Sequence, residues 1–168
     1  GSFTGTISQA AIAENNSDII VISRGSAIDK SIDAGATFSS IKNVLPSTTI
    51  EDIAFDPIDD EVILVCYANY NNDNAKIFMT TNGGTTWNNI SYNLGSMPIH
   101  TIVVDHSPER NIYVGAEIGV YTKPMNGTTW ILYNQLLPNT TIEELEVVYG
   151  SNTLKAATWG RGLWEYSL

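Results

Sequence analysis

Three acids, Asp52, Glu117 and Glu144, stand at corresponding ends of strand-like segments, where carboxyl groups facing across a cleft could cleave a glycosidic bond. That chemistry needs one acid to protonate the leaving oxygen and a second, about 5–10 Å away, to act as base or nucleophile. The spacing selects no pair among them. Glu51, His100 and Glu143 lie beside the same strand starts. Arg24, Glu117 and Arg161 take matching places in loops, whereas Arg110 belongs to the opposite end of its unit. Three guanidiniums therefore cannot converge on one substrate carboxylate within this chain. Tyr67, Tyr70 and Trp159 could stack on sugar rings while Arg and Glu bond the hydroxyls. The competing expectation is structural: Arg24 and Arg161 pair with Glu117 or neighbouring acids, and Trp159 packs into a seam. The residues favour that structural reading.

Other chemistries find little support. Asn71-Asn72-Asp73-Asn74 and Asp56-Pro57-Ile58-Asp59-Asp60-Glu61 are rich in oxygen but lack calcium-loop spacing, so they read as turns. His100, His106 and Cys66 form no metal-ligand pattern, and no Gly-rich phosphate cradle occurs. No cofactor or metal is expected. Cys66 is the single cysteine and ends the apolar run Val62-Ile63-Leu64-Val65-Cys66, so it reads as a buried structural thiol. The formal charge of −10 argues against a nucleic-acid partner. The apolar runs are too short for a membrane helix. Few Lys, many Asn, Thr and Ser, and sequons at Asn15, Asn89, Asn126 and Asn139 lean towards a secreted protein. No signal peptide is read at the Gly1-Ser2 start, and a leader, had there been one, is already gone.

Positioning these residues falls to a repeat. Ala11-Ile12-Ala13 turns back into Ile19-Ile20-Val21-Ile22, and Ile53-Ala54-Phe55 into Val62-Ile63-Leu64-Val65. Ile102-Val103-Val104 and Leu145-Glu146-Val147-Val148 begin two more such hairpins. The recurrence, at roughly 40–50 residues, matches four-stranded propeller blades. Strand residues are β-branched or aromatic, the breaks are Gly, Asn, Asp and Pro, and no helical period is evident. The expected fold is all-β: about four blade units near 7–49, 50–98, 99–141 and 142–168.

Each unit then closes a tight turn onto an aromatic. The first turn carries Ser31, Asp33, Gly35, Thr37 and Phe38; the second carries Thr80, Asn82, Gly84, Thr86 and Trp87. A third keeps only Gly127, Thr129 and Trp130, with Met125 at the acidic position. These turns resemble the Asp-box, or bacterial neuraminidase repeat, of pattern Ser-x-Asp-x-Gly-x-Thr-Trp. The chain end Ala157-Thr158-Trp159-Gly160-Arg161-Gly162-Leu163-Trp164 resembles the last blade of secreted bacterial Asp-box proteins, xyloglucanase-like ones included. The resemblance implies that the boxes are structural and lie away from the ligand face. It also implies a choice between a non-catalytic glycan-binding or scaffold module, a fragment of a glycoside hydrolase with catalytic blades upstream, and a sortilin-like protein-interaction propeller. Sialidase activity is disfavoured, because the Phe/Tyr-Arg-Ile-Pro segment is missing.

The last unit supplies three strands, so closure is the open question. Phe3-Thr4 could complete that blade and shut a four-bladed ring. Otherwise the chain is the C-terminal part of a larger propeller, or two chains join head to tail. Open blade edges imply self-association.

Overall fold

The computed structural model describes residues 5–71, 74–133, 137 and 139–168. They form four antiparallel sheets with strands in sequence order. The first is β1 (Gln9–Ile12), β2 (Ile20–Arg24), β3 (Ala27–Ser31) and β4 (Ser39–Ser40). The second is β5 (Asp52–Phe55), β6 (Ile63–Cys66), β7 (Ile77–Thr80) and β8 (Asn88–Asn89). The third is β9 (Ile99–Val104), β10 (Asn111–Ala116), β11 (Gly119–Pro124) and β12 (Ile131–Leu132). The fourth holds β13 (Ile142–Val148), β14 (Thr153–Thr158) and β15 (Gly162–Ser167). One 3₁₀ turn, Tyr92–Leu94, is the only helical element among the described residues. The expected closing strand, Phe3-Thr4, lies outside the described residues, as do Asn72 and Asp73 of the Asn-rich loop.

The second strand of the second sheet, β6, is covered on both faces, which is why Ile63-Leu64-Val65-Cys66 reads as an unbroken apolar run instead of an alternating one. Burial pushes the Cys66 thiol well above its usual range, so it stays protonated and inert. The sheets stack face to face through three apolar seams. Val21 and Ile28 meet Ile53, Val65 and Phe78 in the first. Leu64 and Ile77 meet Ile102, Val104 and Val114 in the second. Tyr113 and Val120 meet Leu145, Val147 and Leu154 in the third. In the third seam Gly115 makes room for its neighbour: a Cβ there would lie 2.5 Å from Thr101 Cγ2 and 2.7 Å from Ile142 Cγ2. Gly115→Val is expected to destabilise the fold by about 2 kcal/mol or more through overpacking, measured by urea denaturation.

The tight turns between third and fourth strands share one hydrogen-bond plan. Ser31 Oγ accepts from the Gly35 N–H at 2.9 Å, and Asp33 Oδ1 accepts from the Thr37 N–H at 2.8 Å. In the next turn Thr80 Oγ1 accepts from Gly84 N–H at 2.9 Å, and Asn82 Oδ1 from Thr86 N–H at 2.9 Å. Gly35 and Gly84 sit at φ +86° and +95°, where a side chain is strained. The third turn lacks the acid and keeps a plain reversal, with Gly127 N–H donating to the Pro124 carbonyl at 2.8 Å.

The aromatics that end these turns tie each sheet to the one before. Trp87 Nε1 donates to the Ile41 carbonyl at 2.8 Å, and Trp130 Nε1 to the Ile90 carbonyl at 2.9 Å. Both rings are buried. Phe38, in the first turn, is half-buried and has no N–H to give.

Asp33 has a pH consequence. The Thr37 hydroxyl and amide, with Ser31, hold its carboxyl at about 2 against the ordinary 3.8. A carboxyl lowered by folding contributes stability above its unfolded value and loses it as pH falls through the folded one. The window is therefore pH 4 down to 2. Asp33→Asn is expected to keep the turn, as Asn82 does naturally, and to flatten the acid limb of the stability curve there. Thermal midpoints at successive pH values measure it.

Candidate functional site

Two regions gather polar side chains: the channel between the innermost strands, and the loop face at its upper mouth. Inner strands β1, β5, β9 and β13 all start at that mouth, and three seams are fastened there. Gln9 Nε2 donates to the Glu51 carbonyl at 2.6 Å. Asp52 Oδ2 accepts from Ile102 N–H at 2.9 Å. Thr101 Oγ1 accepts from Leu145 N–H at 3.2 Å. Asp52 Oδ1 also takes the Ile53 N–H at 2.8 Å, so both of its oxygens serve the backbone. Burial raises the Asp52 carboxyl against these bonds. Glu144 is raised by burial and by the Asp52 charge. The channel itself is a cavity of about 370 Å³, lined by Ile12, Ala54 and Val103 with Asp52, Glu144 and Glu146.

The lower mouth is crossed by a cluster that sequence reading missed. Glu14 accepts from Tyr149 OH at 2.8 Å through Oε1 and meets His106 Nε2 at 3.0 Å through Oε2. The His106 and Tyr149 rings stack with centroids 3.6 Å apart. Its members come from the first, third and fourth sheets, and their only sequence signal is a shared place just after an inner strand. Nearby, Arg110 Nη1 donates to the buried Asp56 Oδ2 at 2.9 Å, joining the second and third sheets.

The structure separates the residues expected on the upper face. Tyr70 is 74% exposed and its hydroxyl donates to Glu117 Oε1, so these two meet across a seam. Trp159 is 72% exposed, which corrects the expectation that it packs a seam. It sits in the reversal between β14 and β15, while Trp164 packs against the third seam. Tyr67 is a correction in the other direction. Its ring is fully buried, edge-on to Phe78 at 5.9 Å, and offers no face to a ligand. Arg24 pairs with Asp29 of its own hairpin at 2.6 Å and not with Glu117. Arg161 is exposed, makes no ion pair among the described residues, and gives its carbonyl to Trp164 Nε1 at 3.0 Å. Sequence reading also overlooked Lys76. Its buried ammonium bonds the Asn69 and Asn71 carbonyls at 3.0 and 2.8 Å and so shapes the loop that carries Tyr70.

Solved structures match this architecture closely. A GH74 xyloglucanase from Xanthomonas campestris superposes with a TM-score of 0.72 at 17% identity, over 96% of this chain and 29% of that one. A GH74 enzyme from Niastella koreensis gives 0.72 at 19% identity, over 96% and 28%. A chain of the nidogen/laminin complex gives 0.70 at 18% identity, over 90% and 57%. The fold is that of β-propeller blades. The chain spans less than a third of the length of the GH74 structures it matches. No family model matches the sequence, and no curated protein does. Each sheet is a blade, the first three four-stranded and the last three-stranded among the described residues, with β1, β5, β9 and β13 as the channel strands.

Proposed function

We infer that the chain is a set of blades from a secreted bacterial propeller, that its tight turns are Asp-boxes, and that its upper loop face binds a neutral polysaccharide without cleaving it. The observation that carries this reading is the pair of exposed aromatics on one face, Tyr70 and Trp159, with Tyr70 held by Glu117. Flat rings open to solvent are suited to the apolar faces of pyranose rings, and carboxylate and guanidinium groups beside them to the hydroxyls. Glu117 and Arg161, the latter without an ion pair among the described residues, stand on that face. The fold it shares with a GH74 xyloglucanase makes xyloglucan the first ligand to try. The acidic, Asn- and Thr-rich composition supports secretion.

A glycoside hydrolase fragment is the second reading, favoured by the raised Asp52 and Glu144 carboxyls at the channel mouth. Against it, Asp52 spends both oxygens on backbone N–H groups and acts as a fastening between blades. Affinity electrophoresis through xyloglucan-containing gels tests the first reading. The chain is expected to be retarded, and Trp159→Ala to lose at least tenfold in affinity. Retardation unchanged by Trp159→Ala would overturn the assignment of this face. Release of reducing sugar by the chain alone, abolished in Glu144→Gln, would favour the hydrolase instead.

A further inference from the structure

Two Asn-Gly pairs occur in the chain, Asn82-Gly83 and Asn126-Gly127, both in turns that join a third strand to a fourth. In this dipeptide the main chain can attack the Asn side chain most readily, because Gly sets no Cβ beside the attacking nitrogen. At Asn126 the Gly127 nitrogen would bond to Asn126 Cγ, give its proton to solvent base and expel the side-chain nitrogen as ammonia. Water then opens the resulting cyclic imide at either carbonyl, leaving Asp or isoaspartate. The reaction needs a side chain free to swing onto the following nitrogen and an N–H that can be released. Both asparagines are exposed, so access of water does not separate them, and their hydrogen bonds do.

Asn82 is held through both polar atoms of its side chain. Its Nδ2 donates to Thr86 Oγ1 at 2.9 Å, and its Oδ1 accepts from the Thr86 N–H and the Thr80 hydroxyl, each at 2.9 Å. The Gly83 N–H donates outside its own turn, to the Glu61 carbonyl at 2.9 Å. Gly83 is buried, and a Cβ on it would lie 2.3 Å from Glu61 Oε2 and 2.5 Å from Lys30 Nζ, so this peptide is pinned beneath the Lys30–Glu61 ion pair. Asn126 makes no side-chain hydrogen bond among the described residues. The Gly127 N–H closes only its own turn, on the Pro124 carbonyl at 2.8 Å, and shares that acceptor with the Lys123 ammonium at 3.2 Å. Such a bond opens by local fraying, with no strand displaced. The Lys123 charge beside the turn also favours the deprotonated nitrogen. We propose that Asn126 is a site of spontaneous deamidation and that the hydrogen-bonded turn around Asn82 protects it from the same reaction. Conversion at Asn126 adds a negative charge, and the isoaspartyl product adds one carbon to the main chain in the turn that leads to the buried Trp130.

Peptide mapping by mass spectrometry tests this on the full chain held in mildly alkaline buffer and sampled over weeks, with isoaspartate read by enzymatic methylation. In the folded chain Asn126 is expected to convert at least tenfold faster than Asn82. In concentrated urea, where neither turn persists, the two are expected to convert at similar rates. Thr86→Val removes the acceptor of the Asn82 amide. With an unchanged circular dichroism spectrum, it is expected to speed conversion at Asn82 several-fold and to leave the Asn126 rate as it was. Equal rates at the two sites of the folded chain would overturn the proposal. So would an Asn126 that stays intact in the folded chain while the urea-unfolded chain converts, or a Thr86→Val variant whose Asn82 reacts no faster. Sugar binding at the Trp159 face is read separately, so the two proposals fail independently.

Discussion

Trp130→Ala is expected to cost about 4 kcal/mol of folding stability, among the largest losses of any single substitution in this chain. The indole is 2% exposed in the seam between blades 2 and 3, packed with Ile90, Leu94 and Val114. Removing it opens a cavity that rigid strands on both sides cannot fill, and large aromatic truncations of this kind cost about 3–5 kcal/mol. The Ile90 carbonyl also loses its donor at 2.9 Å, although the bonds of the Trp130 backbone to the Asn93 side chain, at 2.8 and 2.9 Å, survive. Trp130→Phe separates the two contributions. It keeps most of the apolar ring and is expected to cost about 1–2 kcal/mol, the loss associated with one buried acceptor left unpaired. Phe38 shows that an aromatic without an N–H is tolerated at the equivalent turn position. Chemical denaturation of the two variants, with m-values compared, measures both numbers.

Arg110→Ala is expected to be nearly as damaging, at about 3 kcal/mol, because of what it leaves behind. Asp56 is fully buried and its Oδ2 bonds Arg110 Nη1 at 2.9 Å. Its Oδ1 takes the Ile58 and Asp59 N–H groups at 2.9 and 3.1 Å. Without the guanidinium, a charged carboxylate stays in the seam with only backbone dipoles to balance it, and breaking such a pair costs about 3–5 kcal/mol. The double variant Asp56→Asn/Arg110→Ala retains the Oδ1 acceptor and removes the stranded charge. It is expected to be more stable than Arg110→Ala alone, a non-additivity that a double-mutant cycle reads directly. Equal stabilities for the single and double variants would mean that the pair contributes packing and no charge balance.

Legibility in the sequence followed the range of the interactions. Hairpin recurrence and the two good turns are local, set by side chains within about four residues, and the Ser31–Thr37 and Thr80–Thr86 networks form from those same residues. The third turn, lacking an acid, still places Trp130 in its seam, because the ring is drawn there by the neighbouring blade. Exposure of the site aromatics was not legible. Tyr67 prolongs a fully buried strand and is covered by the preceding blade, while Trp159 occupies a reversal with nothing packed over it. Composition alone gives the two rings the same apolar character. The Glu14, His106 and Tyr149 cluster joins residues 92 and 135 positions apart, and no local pattern announces it. Arg24 took the nearest acid, Asp29 five residues on, over the more distant Glu117.

The claim that the loop face is the ligand site is tested most directly by mapping chemical-shift changes on the isotope-labelled chain as a xyloglucan oligosaccharide is added. Shifts concentrated at Tyr70, Glu117, Trp159 and Arg161 are the predicted result. Shifts gathered instead at Asp52, Glu144 and Glu146 in the channel, or none at millimolar sugar, would contradict it.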